Sequence, residues 1–241
     1  MQRYLWVVVA VLMLHQVALG DDGKGLLKQV FKKMKSGPPS GSGVFMKYAV
    51  TVKTIEGTSH EDEIEVAMFD KKIKMKSEGV TIYQDSKTMV LIRPEENTIF
   101  ITSPVDADKR KNQLQYFVNL QDSLFNYLVL KSCSEDASIR TFTNRPTKKL
   151  ILHLKNEIAG GIGIKSVTYW LDEENLIMKR AVLEFANDEL QHIDSLLFEF
   201  SDFNYHYKTT VFNGTALAKV IDDRNKKLLA EYKGYRLIDK R

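Results

Sequence analysis

From Tyr83 to Pro104 the sequence reads YQDSKTMVLIRPEENTIFITSP, two short apolar runs bounded by turn chemistry. Asp85-Ser86-Lys87 makes the first turn and Pro94-Glu95-Glu96-Asn97 the second. On an extended strand Met89 and Leu91 point one way, and Val90 and Ile92 point the other. Both pairs are apolar. A hairpin with one wet face alternates apolar with polar residues, so this stretch demands cover on both sides. Whatever the chain folds into has to supply that second cover.

The flanking pattern is that of an antiparallel meander over 45–103. VFMKYAVTVKT has a period of two, a Glu56-Gly57 turn leads into EDEIEVAMFD, and KKIKMKSEG sets Ile73 and Met75 against lysines. Ser103-Pro104 breaks the pattern. Asp106 or Asp108 can then cap a helix running to residue 128. Its segment KRKNQLQYFVNLQDSLFNYLVL puts Leu114, Phe117, Val118 and Phe125 on one broad apolar face, with Leu124 and Leu128 beside them. A second meander fills 129–207. Leu150, Leu152 and Leu154 alternate there, three strands follow with turns at 172–175 and 187–188, and Leu196, Phe198 and Phe200 share a face. The tail, 208–241, holds a short helical stretch over 216–221 and can close as a hairpin around Lys233-Gly234. No internal repeat is seen, and 21–241 reads as one domain.

The N-terminus has a different character. Residues 1–20 combine a basic start, an apolar run from Tyr4 to Val17 and a small-residue Ala18-Leu19-Gly20 site, the pattern of a cleaved signal peptide. The expectation is an exported, soluble protein, with no cysteine at the cleavage point for lipid attachment. The segment 24–35 is a basic amphipathic helix with Leu26, Leu27, Val30, Phe31 and Met34 on one stripe, followed by a Gly/Pro/Ser linker over 36–43. Its lysines allow contact with an anionic membrane surface, and its apolar stripe favours docking on the chain's own sheet. The one cysteine, Cys133, rules out an internal disulfide and is expected to be a buried or half-buried structural residue.

Chemistry-bearing motifs are scarce. His60, His153, His192 and His206 show no metal-ligand spacing, and no catalytic residue, metal site or cofactor is expected. The run His60-Glu61-Asp62-Glu63 alternates its charges between two strand faces, so it reads as solvated edge-strand protection rather than a cation site. Ala159 to Lys165 is glycine-rich but lacks GxGxxG and a following helix. Asn213-Gly214-Thr215 fits a glycosylation sequon, a weak pattern and moot in most bacteria. A net charge of +4 is too balanced for nucleic acid. An enzyme is therefore not expected. The long sheet and the apolar helix can instead meet in one of two ways: the sheet curls around the helix and leaves room for apolar cargo, or the two pack fully and leave none.

The stretch VTYWLDEENLIMKRAVLEFANDELQHIDSLLFEFSDFNYH, Val167 to His206, resembles the second half of the outer-membrane lipoprotein carrier (LolA-like) family. A strand with an aromatic and an aspartate precedes a turn, and two strands then run toward an F-x-F segment. YAVTVKT and IYQDSKTMVLIRPEENTIFI are similar to its first half, and Lys109 to Leu128 matches a helix in placement. The resemblance implies an α+β fold, a curved, incomplete antiparallel β-barrel closed by helices around an apolar cavity. It implies a monomeric periplasmic protein with a lipid or acylated protein as cargo and transient contacts to membrane or envelope proteins. The alternative is a non-lipid envelope scaffold or regulatory module of the same fold. The cavity wall would then include Met89, Leu91, Phe100, Leu196 and Phe198 from strands, and Leu114, Phe117, Val118 and Phe125 from the central helix. The family's first strand carries an arginine that holds a helical lid; FMKYAVTVKT offers only Lys47 and Lys53. Burying one ~14-carbon chain at about 0.8 kcal/mol per methylene is worth roughly 11 kcal/mol before the costs of binding, so a charged anchor is not required.

Overall fold

The computed structural model describes residues 22–36, 39–104, 128–141, 144–154, 163–186, 192–222 and 225–241. The expected signal peptide, 1–20, and all but the last residue of the expected central helix, including Leu114, Phe117, Val118 and Phe125, lie outside them. The described residues hold one α-helix, α1 (Asp22–Ser36). They also hold β1 (Gly43–Thr54), β2 (Ser59–Phe69), β3 (Lys72–Lys76), β4 (Thr81–Gln84), β5 (Met89–Arg93) and β6 (Thr98–Thr102). After these come β7 (Leu128–Arg140), β8 (Pro146–Leu154), β9 (Ile164–Asp172), β10 (Ile177–Phe185), β11 (Ile193–Tyr207) and β12 (Arg236–Asp239). Strand order is β12-β6-β5-β4-β3-β2-β1-β11-β10-β9-β8-β7, an open sheet. Helices closing a barrel are thus not what the described residues contain. Leu128, expected at a helix end, begins β7 instead.

The chain divides into two compact units. The first comprises Met1–Gly37, Ala49–Glu61 and Asn112–Ser201; the second comprises Pro38–Tyr48, Asp62–Lys111 and Asp202–Arg241.

In the first unit the sheet has one deeply buried face. Register places Leu150, Tyr169, Ala181 and Phe198 side by side across β8 to β11, with Leu152, Val167, Leu183 and Leu196 in the adjoining row. Helix α1 lies on this face. Its Leu26, Leu27, Val30 and Phe31 are buried, and the Phe31 ring meets Tyr169 edge-on at 5.8 Å. The lysines of α1 serve the fold as well: Lys24 Nζ donates to the Leu128 carbonyl and Lys33 Nζ to that of Asn175, each at 2.7 Å. The helix is therefore docked on its own sheet, as its apolar stripe favours. On the opposite face Trp170 lies between the Lys149 ammonium and the Arg180 guanidinium, and its indole N–H donates to Asp136 Oδ2 at 2.8 Å. Hydrogen bonds from Ser138 and then Trp170 hold the Asp136 carboxyl down at about 2.

In the second unit the hairpin pattern finds its cover. Val90, Ile92, Ile99 and Ile101 are buried together with Ala216, Val220 and Ile221 of the tail; Tyr83, Leu228, Tyr232 and Tyr235 pack around them. The tail has little regular structure to announce it, only 3-10 turns at Thr209–Phe212, Leu217–Lys219 and Ala230–Tyr232. Asp85 in the β4–β5 turn pins it. That carboxylate accepts from the backbone N–H groups of Lys87, Thr88 and, 131 residues away, Ala216 at 2.7 Å. Lys72 Nζ donates to the carbonyls of Phe212 and Gly214.

Two further sequence readings are corrected, those of the last strand and of Cys133. The last strand, β12, pairs in parallel with β6 instead of folding back as a hairpin around Lys233-Gly234; the local closure is an Ile221–Leu228 bridge. β2 is an interior strand between β1 and β3 in the strand order, but its ladder to β3 covers only Glu65–Phe69, so the run His60–Glu63 lies beyond that ladder with His60, Glu61 and Glu63 exposed. Glu63 and Glu65 flank Lys47, at 2.7 and 3.7 Å. Cys133 is exposed, on strand β7 at the end of the sheet.

Candidate functional site: the methionine-lined face of the second unit

The face of β2 to β6 opposite the tail is apolar and only half covered. Register aligns Val66, Met75, Ile82, Leu91, Phe100 and Ile238 as one row across β2-β3-β4-β5-β6-β12. A second row beside it runs Met68, Ile73, Gln84, Met89, Thr102. All eleven are of intermediate burial. The Lys47 ion pairs with Glu63 and Glu65 fix which way β1 and β2 alternate. Met46, Tyr48 and Ile64, all buried, therefore fall on the same side as Val66 and Met68.

Four of the chain's eight methionines, Met46, Met68, Met75 and Met89, belong to this face. Methionine is unbranched and polarizable, so a surface built from it refits around apolar shapes that a β-branched wall would reject. The contrast with the other face of the same strands is direct. There Val90, Ile92, Ile99 and Ile101 are β-branched and fully packed, while here Met89, Leu91 and Phe100 are long and partly open.

The ends of the face are polar. At one end Arg93 pairs with Glu96 at 2.7 Å and lays its guanidinium over the Phe100 ring at 5.8 Å. Thr98 donates its hydroxyl to the Glu96 carbonyl at 2.9 Å. At the other end stand Gln84 and Thr102, on either side of Met89. The Thr102 hydroxyl oxygen is buried and has no hydrogen-bond partner among the described residues. Burial, and then the nearby Asp62 carboxylate, push the Tyr48 phenol far above its ordinary range, so it stays neutral on this face.

The face offers apolar contact area with polar groups at its two ends. Among the described residues no cluster of three His, Cys, Asp or Glu could hold a metal ion. One row on the first unit has hydrolase residue types, His153 beside Ser166 beside Glu184. Ser166 is buried, however, and gives its hydroxyl proton to Glu184, not to the histidine. None of the described helices is long and apolar enough to cross a membrane.

Of the sequence-derived wall residues, Met89, Leu91 and Phe100 meet on this face, with Leu91 directly opposite Phe100. Leu196 and Phe198 lie in the first unit, buried on the face where α1 docks. Val66, Met68, Met75 and Ile82 belong with the first three and were not singled out from sequence. Alternation alone placed Met75 against lysines; only the pairing register shows that it neighbours Val66 and Ile82.

No protein-family model matches the sequence, and no curated protein matches it either. Solved structures to which the chain is similar include a LolA superfamily protein from Nitrosomonas europaea. The identity is 8% and the TM-score 0.27, over 75% of this chain and 92% of that one. An uncharacterized conserved protein from Thermus thermophilus is similar at 13% identity and a TM-score of 0.43, covering 91% of this chain and all of that one. The MucA/MucB complex structure from Pseudomonas aeruginosa is similar at 12% identity and a TM-score of 0.35, over 76% of this chain and 57% of that one. The LolA-like resemblance read from sequence is thus met among solved structures, at scores that leave function to be argued from this chain's own residues.

Proposed function

We propose that this chain is a non-catalytic carrier of the bacterial periplasm that holds a lipid or the acyl chain of a lipoprotein. The cargo lies against the methionine-lined face of β2 to β6. The observation that carries the reading is the half-buried row from Val66 to Ile238, apolar across six strands, with Met68, Ile73 and Met89 of the neighbouring row beside it. A monomeric protein rarely leaves so continuous an apolar patch without a partner for it. An alkyl chain suits a flat Met/Leu/Phe surface because it needs contact area rather than directed hydrogen bonds.

The test is binding of a fluorescent fatty-acyl probe to the Leu91→Asp variant. Leu91 is half-buried, so the charged substitution lowers the urea midpoint somewhat; in a variant whose far-UV circular dichroism shows it folded, probe binding is lost. Undiminished binding in a folded variant sinks the carrier reading and leaves the non-lipid scaffold in its place.

A further inference from the structure

Thr98 and Thr102 stand on the same strand, four residues apart, and so on the same face. Their hydroxyls are treated differently. Thr98 donates to the Glu96 carbonyl at 2.9 Å, whereas the Thr102 hydroxyl is out of water and has no hydrogen-bond partner among the described residues. Buried hydroxyls are ordinarily paired, because an unpaired one keeps the cost of leaving water with no compensation. An orphan of this kind, set at one end of an apolar face, needs an explanation. Its register partner is Met89, a side chain with three rotatable bonds that can swing aside and open the hydroxyl to a ligand. Gln84 completes the row on the far side of Met89.

We infer that Thr102 is the donor for the carbonyl at the head of an acyl chain. The ester or amide oxygen accepts from Thr102 Oγ1, and the alkyl chain runs from there over Met89, Leu91 and Phe100. This rests on the carrier reading above and adds to it a polarity and a chemical requirement. The face takes an acyl group in preference to an alkyl group of equal length, since only the former has an acceptor for the orphan donor.

Two lysophospholipids of the same chain length and head group separate these cases, one ester-linked and one ether-linked, titrated below their micelle concentrations by calorimetry. The wild-type protein should bind the ester about three- to tenfold more tightly, the worth of one net hydrogen bond. Thr102→Val, which keeps the side chain's shape, should erase that preference by weakening the ester alone, while its melting temperature holds or rises. Thr98→Val should keep the preference, because its hydroxyl is already satisfied within the chain. Equal binding of the two lipids by the wild type, or an ester preference that survives Thr102→Val, overturns the assignment. If the wild type binds neither lipid, the carrier reading itself fails. A lauroyl-amide peptide in the same titrations shows whether the acyl group is better taken from a protein or from a glycerolipid, and Thr102→Val should weaken it equally.

Discussion

The two units use apolar sheet faces in opposite ways. In the first, the face carrying Tyr169 and Phe198 is sealed by α1, whose Leu27, Val30 and Phe31 have essentially no exposed surface. In the second, one face is sealed by the tail over Val90 and Ile101, and the other is left with Met68, Met75 and Met89 half-buried. Both units are apolar enough to fold. The difference lies in the cover: a leucine- and aromatic-rich face roofed by α1 in the first unit, against a mixed face in the second on which Met68, Met75, Met89, Leu91 and Phe100 keep part of their surface.

Substitutions can break this comparison. The largest effect is expected for Phe31→Ala, which empties a fully buried aromatic site and should cost about 3–5 kcal/mol in urea unfolding. A loss below ~1 kcal/mol would mean that α1 is a loose attachment and that the first unit is no more sealed than the second. Next comes a matched pair on one strand. Ile101→Ala, buried against the tail, should cost about 2–4 kcal/mol, and Phe100→Ala, half open on the other face, well under that. Equal losses would erase the distinction between the faces.

The smallest effect sharpens the account of how the tail is held. Burial alone would raise the Asp85 carboxyl, yet the N–H groups of Ala216, Lys87 and Thr88, with Lys72 nearby, outweigh it and hold the carboxyl below its ordinary range. A carboxylate with a depressed folded pKa stabilises the fold fully above its unfolded pKa of about 4 and loses that contribution as pH falls through the folded value. Asp85→Asn should therefore destabilise by roughly 1–2 kcal/mol at neutral pH. Its stability should converge with wild type as the pH drops below about 4. A constant gap down to acid pH would place the effect in packing and not in charge.

Much of this was legible beforehand. The period-two runs at 45–54, 89–93 and 98–102 correspond to β1, β5 and β6, and the 26-27-30-31 stripe marked the docking face of α1. The turn at Glu56-Gly57 is where Gly57 takes a left-handed φ of 82°. What the sequence could not fix was which of Val90/Ile92 and Met89/Leu91 is sealed. Both pairs are apolar with one period, and the cover comes from residues more than 110 positions later, in 3-10 turns that have no periodicity to detect. Strand β7 went unread for a related reason, since LVLKSCSEDASIR does not alternate and most of it is exposed. Thr102 looked like an ordinary strand threonine until pairing placed it opposite Met89.

The pairing of β12 with β6, and of Asp85 with Ala216, also sets a clock. These contacts join residues well over a hundred positions apart, and a chain dominated by such contacts reaches its native state slowly. Until the last segment arrives, Val90, Ile92, Ile99 and Ile101 are as bare as the methionine face behind them. A newly made chain therefore passes through an interval with both sides of β5 and β6 open, and apolar surface bared in that way is what makes a folding intermediate prone to aggregate.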